Sequence, residues 1–534
     1  MYIQPLAPLF DSVLASGVLA ALPIVVMFVL LGVFRLRAAY ATGIGLALAL
    51  LSAIFVWGMP TVMAVSAAAE GVFYGLFPIL WILVNALWIY RLSVVTTWFE
   101  VLGAAVRSVS SDHRILAILI AFCFGALLES LAGFGAPVAI SAAMLIAAGL
   151  KPLKAAVASL LANTAPVAFG ALGAPIVALS GVTGIPVHDL AAMVGRQTPF
   201  LAVLIPLVLV FVVDGFRGVR EAWPVAVVAG IVFAATQFVV SNFFAFELTD
   251  VVAAITTTVA VLVTLRFWKP AGQLADGEAL TVRPAGRSIA MAVAPYAVII
   301  VLFSLAQIPA LKAWLDEVGS VSFAWPLLNI GDADGTAIAA QTFHLDHLRA
   351  TGTLLFISGV ITAAVYRIRP RAAAAEYGAT LKQLRWTIVT VCTVLALSFV
   401  MNLSGQTTSL GYTLASAGGF FAVLSPMIGW IGVALTGSDT ASNSLFGELQ
   451  VSAAEQTGLS PLVMAAANTS AGVLGKMLSV QNLAVASAAV GLDHAESTLF
   501  RRLLGWSLGL LVLLGILIVL QTGPLSWMVP GSAP

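Results

Sequence analysis

The sequence predicts an all-α, polytopic membrane protein with roughly 12–14 transmembrane helices, built as two pseudo-symmetric halves that each contain a broken or re-entrant helix. Three observations carry that expectation. Hydrophobic residues make up 61% of the 534 positions, charged residues only 9%, and the mean hydropathy is +1.07, which excludes a soluble multidomain protein of this length. The charges gather in short loops between apolar runs of about 20 residues, the length that crosses a hydrocarbon core. A polar, glycine-containing pattern also occurs twice. Asn163, Thr164 and Gly170 stand at the same mutual spacing as Asn468, Thr469 and Gly475, and each Asn-Thr pair trails a segment that joins glycine to a carboxylate. In lipid, irregular backbone survives only where protein covers it or a watery cavity meets it, so paired breaks beside polar side chains point to a binding site.

Taken in order, the apolar runs lie near 12–34, 38–58, 67–90, 114–129, 155–180, 199–213, 222–242 and 248–267, then near 288–308, 351–366, 386–402, 420–436, 460–475 and 503–521. Residues 1–267 are expected to form an N-terminal half around a first broken region at 114–180. Residues 268–385 read as a connecting region with basic loops and an acidic loop at 309–349, and 386–534 as a C-terminal part with a second broken region at 420–491. The N-terminal MYIQPLAPLFDS lacks the basic start of a cleavable signal, so the first run should remain as a transmembrane helix. Lysine and arginine concentrate in cytoplasmic loops. The loops holding Arg35 and Arg37, residues 91–114, Arg217 and Arg220, residues 266–287, residues 367–385, and Arg501 with Arg502 are therefore expected inside. The acidic loop and both termini should face outside, which requires an even number of crossings. Cys123 and Cys392 fall within apolar runs and read as small buried hydrophobes.

Within the first region, Glu129 and Ser130 end a strongly apolar run, the turn LAGFGAP follows with Gly133, Gly135 and Pro137, and the segment closes on Asn163, Thr164 and Pro166. The second region sets Gly437, Ser438, Asp439, Thr440, Ser442 and Asn443 ahead of Asn468, Thr469, Gly472, Lys476 and Gln481. Glu129 and Asp439 have a plain reading as helix-capping carboxylates. Their sharper reading is proton coupling, because low-dielectric surroundings favour the neutral form of an acid. The Asn-Thr pairs have a plain reading as interhelical glue. Their duplication beside Pro166 and Gly472 favours a site where a broken helix offers free N–H groups to an anion. Lys476 is either an interfacial lysine or a fixed cation opposite a substrate carboxylate. Glu70 is a further acid at membrane depth, without an evident partner.

Other function classes are poorly served. A net charge of +1 offers no basic surface for nucleic acid. There is no HExxH metal motif, phosphate loop or dinucleotide fingerprint, and the GxSxG letters at 505–509 follow arginines at the start of an apolar run rather than a strand. No catalytic residue, metal or cofactor is therefore expected, and the chain does not read as an enzyme. A channel fits less well than alternating access, which duplicated broken helices suit.

The long motifs FGALLESLAGFGAPVAISAAMLIAAGLKPLKAAVASLLANTAPVAFGALGAPI, GWIGVALTGSDTASNSLFGELQ and AAANTSAGVLGKMLSVQNLAVA resemble the bacterial L-lactate permease family. YGLFPILWILVNALWIY, just after Glu70, and GRQTPFL at 195–201 are similar to it as well, so the likeness covers essentially the whole chain. The resemblance implies uptake of L-lactate, with D-lactate and glycolate, by proton symport across the bacterial inner membrane, with the proton as coupling ion and the lipid bilayer as surroundings. It also implies kinship with a wider ion-transporter superfamily whose two halves are inverted and whose substrate moves by an elevator-like motion. On that reading Asn163, Thr164, Ser438, Asn468, Thr469 and Lys476 would meet the substrate and Glu129 or Asp439 would carry the proton. Ser130, Gly133, Gly135, Pro137, Pro166, Gly437, Thr440, Ser442, Asn443, Gly472 and Gln481 would support the breaks. The superfamily often shows Ser-Asn-Thr where this chain has Ala162 and Ala467 before the Asn-Thr pairs. That difference leans toward protons over the alternative, a sodium-coupled carboxylate or dicarboxylate transporter.

Overall fold

The computed structural model describes residues 1–133, 135–270, 284–332, 336, 338, 341–492 and 495–531, so most of the basic connector 268–287 lies outside the described residues. Helix α1 (Val13–Gly32) begins where the Ser12 hydroxyl accepts the Ala15 N–H at 3.2 Å. α2 (Ala38–Phe55) and α3 (Thr61–Val95) follow, α3 bending through a π-helical turn at Gly75–Leu80. After the short α4 (Trp98–Arg107) comes α5 (His113–Ala132), and α6 (Ala136–Ala147) doubles back along it, the Ser141 hydroxyl reaching Ile120 O at 3.4 Å. α7 (Pro152–Ala162) and α8 (Gly170–Thr183), with the 3-10 turn before α8, are bent by 61° at the break between them, the geometry of a broken span or of a re-entrant loop.

α9 (Val187–Val194) leads into α10 (Thr198–Phe243), which turns at Gly215, where φ 63° and ψ −152° leave the helical region, and folds back so that Thr198 Oγ1 meets Gln237 Oε1 at 3.1 Å. α11 (Thr249–Phe267), α12 (Gly286–Ala306) and α13 (Pro309–Gly319) complete the first part of the chain. α14 (Thr351–Val365), α15 (Pro370–Ser404) and α16 (Gln406–Ala415) lead to the second broken region. There α17 (Phe421–Thr436) gives way to α18 (Asp439–Thr457), and α19 (Pro461–Lys476) to α20 (Val480–Ala489), before the last helix, α21 (Glu496–Gln521).

The helical membrane fold stands as expected, with some differences in detail. By length and hydropathy, ten helices among the described residues can cross a membrane, or eleven with the bent pair, against the 12–14 expected. The expected number is higher in part because two apolar runs are helices shorter than a full span: 351–366 corresponds to the 15 residues of α14, and 460–475 to the 16 of α19. The runs 199–213 and 222–242 are the two antiparallel arms of α10, folded at Gly215, and the tally of continuous helices counts these two arms once. Two small sheets also occur at the acidic loop. β1 (Tyr2–Ile3) pairs in parallel with β3 (Ile330–Gly331), and β2 (Ser320–Ala324) pairs antiparallel with β4 (Thr342–Asp346), Ser320 opposite Asp346.

Polar contacts sort the loops to two ends. At one, β1 joins β3, Thr351 Oγ1 donates to Glu247 Oε1 at 3.3 Å, and Arg196 bonds both Asn242 Oδ1 (2.8 Å) and Met528 O (2.6 Å), which gathers both termini with the acidic loop. At the other ends of these helices, Arg91 pairs with Glu376 at 2.6 Å and Arg114 with Asp112, Asp214 and Glu221. This sorting agrees with the sidedness that the basic loops suggest. The helices differ in how much lipid they can see. Only 33% of the apolar window of α1 and 28% of that of α12 is buried, as expected of helices with one face on hydrocarbon, whereas the window of α5 is 100% buried. α5 is thus wrapped in protein along its length and carries its side chains to the centre of the molecule.

Candidate functional site

Glu129 projects from the last turn of α5, 2% exposed, just before the turn into α6. Its Oε2 accepts a hydrogen bond from Asn163 Nδ2 at 2.8 Å, and its Oε1 accepts from the Lys476 ammonium at 2.6 Å. Asn163 stands where α7 ends, and Lys476 where α19 ends, so three helix ends converge on one carboxylate. Gly170 makes room for it, since a Cβ there would lie 3.0 Å from Glu129 Oε1. The ion pair ties together residues 347 positions apart and so joins the two broken regions.

A second polar cluster lies along α18 and α19. The Asn443 side-chain amide donates to Pro175 O at 3.0 Å and meets the Thr469 hydroxyl, Asn468 Nδ2 donates to Asn443 Oδ1 at 2.9 Å, and Gln450 Nε2 donates to Asn468 Oδ1 at 3.2 Å. Asn443 thereby reaches from the second region into the first. Asp439 opens α18 beside Gly472, where a Cβ would come within 2.5 Å of its Oδ1. Neither Asp439 oxygen has a hydrogen-bond partner, although the residue is only 4% exposed. A buried carboxylate without partners carries a large desolvation cost, which makes Asp439 the most exacting group of the cluster.

The breaks are built from local chemistry. Gly437 takes φ +75°, a conformation that strains any residue with a Cβ, and it packs against Gln481. Ser438 then caps α18, its hydroxyl accepting from Ala441 N at 3.3 Å, while Ser479 caps α20 through Asn482 N at 3.3 Å. The α5–α6 turn lies against the same break, with Gly135 (φ +84°) opposite Asn482 and Pro137 in the first turn of α6. In the first region α7 ends at Asn163, Pro166 precedes a 3-10 turn, and Ala171, Leu172 and Gly173 all take left-handed backbone before α8 continues.

The expected residues are therefore largely brought together, but not all in the expected way. Thr164 and Ser130 bend back to bond the carbonyls of Leu161 and Leu127, each at 2.7 Å, and do not join the cluster. The Ser442 hydroxyl meets Gly429 O and Asn468 Nδ2 at 3.4 and 3.5 Å, and Thr440 is buried, its carbonyl accepting from Ser444. Asn468, Thr469 and Gly472 lie inside the continuous helix α19, whose break comes later, at 477–479. The free N–H groups expected beside them are thus absent there. At α18 the helix N-terminus already holds a carboxylate of its own, Asp439.

The sequence reading passed over Gln450, Asn482 and Asp250. Asp250, in the first turn of α11, looks in sequence like an ordinary acid at a helix start. It is fully buried, close to Gln237 of α10. Conversely, Ser507 of the GxSxG letters only fastens helices, accepting from Trp430 Nε1 and donating to Leu474 O, both at 2.8 Å. No group of three or more metal-ligating side chains occurs among the described residues.

A many-helix membrane protein whose charged centre is shared by two broken regions belongs, by its fold and its site, with the membrane permeases, not with enzymes. The profile of the L-lactate permease family matches residues 16–523, and the chain belongs to that family. It is 42% identical to an L-lactate permease of Bacillus subtilis, with 99% of each chain covered. It is also 42% identical to a glycolate permease of Escherichia coli K12 (95% of each chain), and 39% identical to an L-lactate permease of the same strain, with 96% of this chain and 97% of that one covered.

Proposed function

We propose that the protein imports L-lactate, D-lactate and glycolate across the bacterial inner membrane by symport with protons, through elevator-type alternating access. The observation that carries this reading is the buried Glu129–Lys476 pair, held between the two broken regions with Asn163 as a third partner. Removing two charges from water costs several kcal/mol per ion, and a membrane carrier keeps such a pair where charge has work to do. A 2-hydroxymonocarboxylate is a single anion with neighbouring hydroxyl and carboxylate oxygens. It needs one cation and a few amide or hydroxyl groups; Lys476 and Asn163 supply the cation and an amide, while Asn468 and Thr469 stand about two turns back along α19 in the second cluster. One proton moved with one such anion adds no net charge to the crossing. Lactate and glycolate differ by one methyl group, and a pocket discriminates between them by only about 1–3 kcal/mol.

A cavity of about 910 Å³ opens at the end that holds both termini. Its wall includes Val177 and Glu448, close along α8 and α18 to the Pro175–Asn443 contact, but none of Glu129, Asn163, Asp439, Asn468, Thr469 and Lys476 lines it. The test is uptake of labelled L-lactate by purified protein in liposomes under an imposed pH gradient. Accumulation that a protonophore abolishes and sodium does not alter is the expected result. Uptake that needs sodium, or that favours dicarboxylates, would replace proton symport with the sodium-coupled alternative and make Asp439, flanked by Ser438 and Thr440, a cation seat.

A further inference from the structure

We propose that Glu129 occupies the seat of the substrate carboxylate, so that proton and substrate exchange on one ammonium group. The inference rests on the transport reading above and adds the device that couples the two solutes. The groups around Glu129 form a carboxylate cradle: the Lys476 ammonium lies on one oxygen at 2.6 Å and the Asn163 amide on the other at 2.8 Å. A lactate or glycolate carboxylate would demand the same pair of donors, a cation and an N–H, at the same spacing. In this structure the chain's own acid fills that seat.

Two buried cations at helix ends compete for attention, Arg114 and Lys476. Arg114 is held by the carboxylates of Asp112, Asp214 and Glu221, which leaves little for a further anion. Lys476 has one paired carboxylate, Glu129, and one turn back along α19 Gly472 packs against Asp439 of α18. With Glu129 ionised, an anionic substrate meets an occupied lysine and the negative charge of its partner. A proton from the outer solution that settles on Glu129 breaks the ion pair and frees the Lys476 ammonium and the Asn163 amide. The substrate carboxylate then takes both. On the other side the substrate leaves, Glu129 releases its proton, and the pair re-forms. Neither solute is held stably without the other, which is the condition for symport. Gly170, packed against Glu129, leaves the side chain room for the change of partner.

The experiment measures lactate binding to the purified full-length protein across pH, together with the protons taken up on binding, read with an indicator dye in weak buffer. In the wild type, affinity should fall about tenfold per pH unit on the alkaline side, and binding should take up close to one proton. In Glu129→Gln the seat is no longer masked by a charge, so lactate should bind with no pH slope and no proton uptake, and alkaline affinity should exceed the wild-type value at least tenfold. Lys476→Met should bind at least tenfold more weakly at every pH. A Glu129→Gln protein that keeps the wild-type slope overturns the proposal, as does wild-type binding without proton uptake. Wild-type binding without proton uptake overturns the proposal even where the variant does not fold. A purely structural ion pair would change melting temperature and leave the slope and the proton count in place. Failure of the wild type to bind lactate or glycolate at any pH would instead sink the transport reading, before any variant is made.

Discussion

Arg114 and Lys476 are both cations withdrawn from water, yet they are set in opposite ways. Arg114 is 0% exposed and anchored at one end of the helices. Its Nη2 meets Asp112 Oδ2 at 2.7 Å and its Nε meets Asp112 Oδ1 at 3.0 Å, while Nη1 reaches Glu221 at 2.7 Å and Asp214 at 3.3 Å. The planar guanidinium suits this arrangement, because its fixed fork satisfies several carboxylates at once and stays charged at any relevant pH. Lys476 offers a single mobile ammonium, and one carboxylate holds it. The first arrangement is a rivet between loops; the second can exchange partners. Burial alone does not separate a structural charge from a working one, whereas the number and rigidity of its partners do.

The largest expected effect falls on the rivet. Arg114→Met leaves Asp112 buried without its cation beside Asp214 and Glu221, of which only Glu221 keeps an arginine, Arg217, and breaking a buried ion pair in this way costs about 3–5 kcal/mol. The purified variant should melt far below the wild type, or fail to accumulate in the membrane. Lys476→Met should cost less, on the order of 1–3 kcal/mol, because Glu129 can neutralise itself by taking up a proton and still accept from Asn163. Its melting temperature should drop modestly while lactate uptake vanishes. If thermal melts showed the reverse order, the distinction between rivet and exchangeable pair would collapse.

Much of the site was legible in the sequence because glycine, proline and acid side chains at membrane depth are rare enough to stand out. Glu129, Asn163, Asp439, Asn468 and Lys476 all stood out in that way, and all are buried in the same interior. The partnership of Glu129 with Lys476 was not legible, since 347 residues separate them and only the packing of the two regions brings them together. Asp250 escaped because a helix-start acid is ordinary in any loop, and its complete burial is a property of the fold. The break in the second region was misplaced for a different reason. Helix ends follow caps, and the cap after α19 is Ser479, well beyond Asn468 and Thr469.

The repeated spacing itself sharpens the comparison, because equal spacing does not mean equal work. Gly170 and Gly475 follow their Asn-Thr pairs at the same distance. A Cβ on Gly475 would run into the backbone of Trp430 and Ala434, where α19 lies against α17, and main-chain atoms of a packed helix cannot step aside. Gly475→Ala should therefore cost about 1–3 kcal/mol through overpacking, seen as a lower melting temperature with the pH dependence of uptake intact. A Cβ on Gly170 would instead press on the Glu129 side chain, 3.0 Å from Oε1 and 3.2 Å from Cγ, and a side chain can shift by a few tenths of an ångström. Gly170→Ala should leave the stability within about 0.5 kcal/mol of wild type. Its signature should be functional: with Glu129 pushed against its partners, lactate accumulation under a fixed pH gradient should fall severalfold while the protein stays folded. An alanine at 170 that lowers stability as much as one at 475, with uptake unchanged in the surviving protein, would make both glycines packing residues and remove Gly170 from the proton–substrate exchange.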